Sequence, residues 1–142
     1  MVQDIYQFIS NNRQKFLPLF SSNVEAGFPS PADGYIEKKL DLNSYLIKHT
    51  EATFFIKAVG YNVNYLGIYD HDLLIVDRSI KPTHGKIVIA AMAGEFFVKK
   101  YIKNKGKFFL AAESKEKREI ELKNNPDIQI WGTVTGVVRN LT

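Results

Sequence analysis

Between Ala52 and Val138 the chain is cut into short apolar runs, and this spacing constrains the fold more than any other feature of the sequence. The runs ATFFIKAV (52–59), DLLIVD (72–77), KIVIAAM (86–92), EFFVKKYI (95–102), KFFLA (107–111) and the stretch 128–138 are dense in β-branched and aromatic residues. Each is bounded by Gly, Asp, Asn or Pro, the residues that turn a chain. They are too short for helices of ordinary length, and their composition suits a pleated, half-buried surface. Ala93-Gly94 between two such runs predicts a tight hairpin, and 119–122 predicts one more short strand. Many short strands with few helices define a mainly β fold, a barrel or sandwich. No internal repeat or low-complexity segment interrupts the pattern.

The first 50 residues read differently. Val2, Ile5, Phe8 and Ile9 recur at helix-like intervals, and Asn11-Asn12 break the pattern, so a short amphipathic helix or a mobile arm is expected. Residues 21–34 (SSNVEAGFPSPADG) are rich in turn formers and predict an extended linker. Asp41-Leu42-Asn43 predicts a short helix running through Ile47, with Leu42, Tyr45 and Leu46 on its buried face.

At 142 residues and 45% hydrophobic content the chain makes one domain with a real core, plus an appended arm. It has no cysteine, so disulfides and thiolate metal sites are excluded, which suits a reducing cytosol. No run approaches the about 18 apolar residues of a membrane span, and Met1-Val2-Gln3-Asp4 lacks the basic start of a secretory signal. A cytoplasmic protein is expected. The net charge of +4 is mildly basic, with Lys99, Lys100, Lys103, Lys105 and Lys107 as the densest positive stretch. Such a stretch is able to touch phosphate, but a solvated strand edge and turn is its ordinary reading. His49, His71 and His84 are scattered, and no HExxH, Walker, GxSxG or Rossmann pattern is present. No metal and no cofactor are expected.

One residue stands out locally. Alternation along a strand puts Lys99 on one face with Phe97 and Tyr101, and Phe96, Val98, Lys100 and Ile102 on the other. A lysine enclosed by aromatics loses the solvation of its charged form and becomes fit for general-base work near neutral pH. The alternative is a side chain that runs over apolar neighbours to water. The pattern alone leaves both open.

Longer runs resolve the choice by resemblance. GIYDHDLLIVDRSIKPTHGKIVIAAMAGEFFVKK (67–100) and VEAGFPSPADGYIEKKLDLNSYLIKH (24–49) resemble the LexA/UmuD-type self-cleaving Ser/Lys peptidases, and the likeness extends over about residues 17–139. It implies a LexA/UmuD-type peptidase fold of short, highly curved sheets with a flexible N-terminal arm, usually assembled as a homodimer. It implies self-cleavage at Ala26-Gly27, with residues 1–27 as arm and linker and 28–142 as the peptidase-fold domain. The family's lysine base matches Lys99. Its nucleophilic serine, in a Gly-x-Ser-Met run, falls on Gly60-Tyr61-Asn62-Val63, which puts Asn62 37 positions before Lys99. Backbone N–H groups of Tyr61 and Asn62 would form the oxyanion hole. Phe16-Leu17-Pro18-Leu19-Phe20 resembles a sliding-clamp-binding pattern through Leu17, Leu19 and Phe20, and reads equally as a hydrophobic anchor for the arm.

The departure is at the reacting atom. A Ser/Lys dyad needs a hydroxyl that gives its proton to the amine and attacks a carbonyl. An asparagine carboxamide has its nitrogen lone pair delocalised and occupies more space. Tyr61, Val63, Asn64 and Tyr65 depart from the expected loop as well. The amide oxygen of Asn62 is an acceptor for a Lys99 ammonium, which would keep that lysine charged and structural. Ser44, Ser79 and Ser114 have no nucleophile-like context. The expected function is therefore that of a UmuD-like accessory protein of the SOS response that regulates error-prone translesion synthesis without cleaving itself. Its implied partners are a UmuC-like Y-family polymerase subunit, the RecA filament and the sliding clamp. The alternative is an active Ser/Lys-type peptidase that cuts Ala26-Gly27 with Lys99 as base. A repressor is disfavoured, because the 26 residues before Gly27 are too few for a helix-turn-helix domain, and sequence-specific DNA binding is not expected.

Overall fold

The computed structural model describes residues 2–7, 15–20, 36–59, 66–111 and 119–142. They fall into two units, each taken by itself below.

The larger unit holds β1 (Val2–Gln7) and everything from His49 onward: β4 (Thr53–Ala58), β5 (Leu73–Asp77), β6 (Ile87–Met92), β7 (Glu95–Asn104), β8 (Lys107–Leu110), β9 (Ile120–Glu121) and β10 (Gln129–Val138). They form one sheet in the order β1-β4-β5-β10-β6-β7-β8-β9, and the neighbours are antiparallel throughout. The smaller unit holds β2 (Phe16–Phe20) and β3 (Ile36–Asp41), paired antiparallel, and the short helix α1 (Leu42–Leu46). The fold is mainly β, as the short runs require.

The predicted strands from 52 onward are present within a residue or two at most ends. Ala93-Gly94 turns β6 into β7 with φ of 51° and 77°, and Lys105-Gly106 turns β7 into β8 with 51° and 75°. Two consecutive left-handed residues match the twist of the flanking strands, which is why these two-residue hairpins close.

β10 organises the sheet. It lies between β5 and β6, and its register slips by one residue against each: between Val134 and Gly136 on the β5 side, and between Ile130 and Gly132 on the β6 side. Such bulges bend a strand and increase its twist. At Gly132 the bend brings the backbone so close to β5 that a Cβ would lie 2.5 Å from Val76 Cγ1. The curved sheet buries two apolar clusters. Ile56, Ala58, Ile68, Leu74, Val76, Ile89 and Val98 form one, with Trp131 and Phe96 packed against it. Val88, Ala90, Tyr101 and Leu110 form the other.

Two sequence expectations are corrected. Val2–Gln7 is a strand paired with β4, neither helix nor free arm. The predicted helix exists, capped by Asp41, but Leu42 and Tyr45 are exposed and Leu46 is half-buried; the buried residue is Ile47, which follows the helix. The segment 21–34 and the boundary at residue 27 lie outside the described residues.

Candidate functional site

Lys99 sits in the middle of β7 and is only 6% exposed. It shares its face with Phe97 and Tyr101, as alternation requires, and its Nζ lies 5.9 Å from the Phe97 ring centroid. Burial pushes the Tyr101 phenol up from its usual range. An amine whose stem is held by a sheet and whose head lies over the Phe97 ring has few positions open to it, which suits a group that must act in fixed geometry.

Strand registers extend this face across the molecule. Residues directly opposite in an antiparallel pair present their side chains to the same side. Thr53 opposes Asp77, Asp77 opposes Thr133, Thr133 opposes Val88, and Val88 opposes Lys99. Five strands thus carry one buried row, polar at four of its five positions. At about 4.8 Å per strand, Asp77 and Lys99 are separated by roughly 14 Å measured along the sheet.

Asp77 accepts hydrogen bonds from two neighbours. Ser79 donates to its Oδ1 from the backbone N–H at 2.8 Å and from Oγ at 2.6 Å, and His49 Nδ1 donates to Oδ2 at 2.5 Å. Burial would raise this carboxyl, but the donors from Ser79 and His49 outweigh it and hold Asp77 below the usual carboxylate range. The cluster is not a catalytic triad. The carboxylate accepts hydrogen bonds from both the Ser79 hydroxyl and the His49 ring, so His49 is not placed as a base for Ser79, which stays a poor nucleophile. Its work is structural. Thr53 Oγ1 also donates to the His49 carbonyl, and Thr133 Oγ1 donates to the Ile80 carbonyl, so the polar row ties the start of β4, the end of β5 and the middle of β10 to the chain segments beside them.

A second hydrogen-bonded group joins the end of β4 to the start of β5. Ala58 N–H donates to the Asp72 carbonyl at 2.8 Å and His71 N–H donates to the Ala58 carbonyl. Asp72 is fully buried and accepts from Arg139 through Nε and Nη2, both at 2.6 Å. The Arg139 guanidinium, then the Tyr69 N–H, hold its carboxyl below the usual range against the opposing effect of burial. Arg139 also donates to the Gly67 carbonyl and covers the Tyr69 ring at 4.4 Å.

The other sequence candidates are placed as follows. Ala26, Gly27, Tyr61, Asn62 and Ser114 lie outside the described residues. Leu17, Leu19 and Phe20 lie in β2, where Leu17 is 67% exposed and Leu19 is half-buried. Beside them is a groove of about 660 Å³ lined by Leu17, Pro18, Leu40, Asp41 and Leu42. Ser44 Oγ donates to Asp41, the helix cap. Among the described residues no three His, Asp or Glu side chains gather as metal ligands, and no helix is long and apolar enough to cross a membrane. The Asp77 cluster was missed from sequence, although an Asp closing an apolar run with Ser two residues on is a recognisable turn signal.

A curved, all-antiparallel sheet with a buried lysine on its penultimate long strand is the architecture of a small β peptidase. The family model described as Peptidase S24-like matches residues 18–135, and the chain belongs to that family as a UmuD-like relative of LexA. It is 46% identical over 122 residues to Protein ImpA of Escherichia coli, covering 85% of this chain and 82% of that one. Protein MucA of Escherichia coli is 33% identical over 135 residues, covering 95% and 92%. The LexA repressor of Mannheimia succiniciproducens is 31% identical over 133 residues, covering 92% of this chain and 62% of the repressor.

Proposed function

We propose that this chain is an accessory protein of SOS mutagenesis that has kept the peptidase fold and lost the cut. The observation that carries the reading is the burial of Lys99 on β7 in a chain whose sequence has asparagine at the family's serine position. Lys99 holds the base position, Asn62 the degenerate nucleophile position, the Tyr61 and Asn62 backbone the oxyanion hole, and Ala26-Gly27 the bond left whole. The family fold and the ImpA and MucA relatives support a place in SOS mutagenesis. The working assembly is a cytoplasmic homodimer that engages a UmuC-like Y-family polymerase subunit and the RecA filament. The exposed Leu17 and its neighbours in β2 offer the contact for a sliding clamp.

The test is intact mass under denaturing conditions after incubation at neutral pH, at alkaline pH and with activated RecA filament, with Asn62→Ser alongside. The parent should remain whole and the serine variant should lose residues 1–26. Cleavage of the parent between Ala26 and Gly27, abolished by Lys99→Ala, would establish the opposite reading, an active peptidase with another nucleophile. Capture of a Y-family polymerase from damaged cells tests the accessory role, and enrichment no greater than that of an unrelated β protein removes it.

A further inference from the structure

The distal half of the β7–β8 hairpin runs out past the apolar core and is cationic along its whole length. Lys103, Lys105 and Lys107 are exposed, as are Lys86 and His84 in the segment that flanks the hairpin. That flank is tied to β7 by three bonds: Gly85 N–H to the Tyr101 carbonyl, Tyr101 N–H to the Lys86 carbonyl, and Lys103 N–H to His84 Nδ1. The cations therefore stand on one braced ribbon. No Asp or Glu occurs between Phe96 and Ala112. Among the described residues no ion pair forms at Lys86, Lys103, Lys105 or Lys107.

The hairpin also carries a ring where a solvated edge has no use for one. Phe108 is 41% exposed, opposes Lys103 across the ladder, and stacks on Tyr101 with centroids 5.8 Å apart and planes at 27°. One side of its ring is thus backed by Tyr101, and Lys103 Nζ stands 5.8 Å from the Phe108 centroid. A fixed aromatic platform between unpaired ammonium groups is the arrangement that takes an unpaired base on the ring and phosphates on the lysines.

We propose that the β7–β8 hairpin binds single-stranded nucleic acid without regard to sequence, with Lys86, Lys103, Lys105 and Lys107 on phosphates and Phe108 under a base. An acidic protein surface would satisfy the lysines but leave Phe108 without a partner of matching chemistry. The inference does not depend on whether the chain cuts itself, since no peptidase-position residue is used.

The probe is a fluorescein-labelled oligothymidylate of about 16 nucleotides, followed by anisotropy from about 50 to about 200 mM salt. Binding should weaken with salt with a logarithmic slope of about −0.7 for each phosphate neutralised. Replacing Lys103, Lys105 and Lys107 together by Gln should flatten the slope by about 2, and replacement by Arg should preserve it. Phe108→Leu keeps an apolar partner for Tyr101 and should weaken binding by roughly five-fold or more with the slope unchanged. Circular dichroism checks that each variant is folded. No binding at the lowest salt overturns the proposal, as does a slope unmoved by the three Gln substitutions. If polyglutamate competes as well as unlabelled oligothymidylate and Phe108→Leu has no effect, the surface takes acidic proteins and the nucleic-acid assignment falls.

Discussion

Gly132 is the position where a single methyl group should do the most damage. Its Cβ, once built, falls 2.5 Å from Val76 Cγ1, 3.4 Å from Arg78 Cγ and 3.6 Å from the Asp77 carbonyl oxygen. Carbon atoms in good contact stand about 3.5–4.0 Å apart, so more than about 1 Å of movement is required. Val76 is poorly able to supply it. It is fully buried, packed with Ile56, Leu74 and Ile89, and stiff at χ1 because it is β-branched. The backbone of β10 is held on both sides by β5 and β6. Gly132→Ala should therefore fall at the upper end of overpacking costs, about 2–3 kcal/mol, seen as a fall in Tm of roughly 8–12 °C. Val76→Ala alone should cost about 2 kcal/mol as a core truncation. The double variant places the new methyl in the space that Cγ1 leaves, so it should be little worse than Val76→Ala, with a coupling of about 2 kcal/mol or more. Urea unfolding of the four proteins measures this. A cost below about 0.5 kcal/mol for Gly132→Ala, or strict additivity in the double variant, would refute the claim that this close approach fixes β10.

The acid response follows from Asp77. Its folded pKa is depressed, so its stabilising contribution is present above the unfolded carboxylate value of about 4 and is lost as pH falls through the lower folded value. Urea midpoints of the parent and Asp77→Asn should differ at neutral pH and converge as pH falls through the depressed folded value, and a gap constant with pH would show that the charge is irrelevant. Trp131, the single tryptophan, meets Phe54 edge-on and Phe96, and lies under the Arg78 guanidinium at 4.5 Å. Arg78→Ala should shift its emission to the red and increase iodide quenching; an unchanged spectrum would mean that the guanidinium does not shield the ring.

Strands β4 to β10 were legible because each is a run of β-branched and aromatic residues with a turn former at its end, and because Ala93-Gly94 admits few conformations other than a hairpin. Lys99's companions were legible because they lie on its own strand. The misses have physical causes. In β1 the register slips between Gln3 and Ile5, and one extra residue converts the two-residue period of a strand into the three-residue interval from Val2 to Ile5 that reads as a helix. β2 carries Pro18, which is tolerated in a two-stranded pairing where one edge needs no donor. The apolar residues of α1 suggest a buried face, but a helix of five residues turns Leu42 and Tyr45 outward. The polar row from Thr53 to Lys99 was beyond sequence, because it exists only once four strand registers are fixed. His49 and Asp77 are 28 residues apart, and no local signal joins them.

The pairing of β1 with β4 changes what a cut in this chain would accomplish. Residues 2–7 are hydrogen-bonded into the main sheet through five register pairs, from Val2 with Ala58 to Gln7 with Phe54. Severing Ala26-Gly27 would remove the covalent tie but not those bonds, so the released peptide would stay seated like a nicked fragment until it exchanged. Its departure would bare the edge of β4, a row of open donors and acceptors that an extended segment of another molecule is able to fill. Cleavage in such a protein is thus less an act of trimming than the unmasking of an adhesive border. A chain that never cuts itself would keep that border closed by its own residues 2–7.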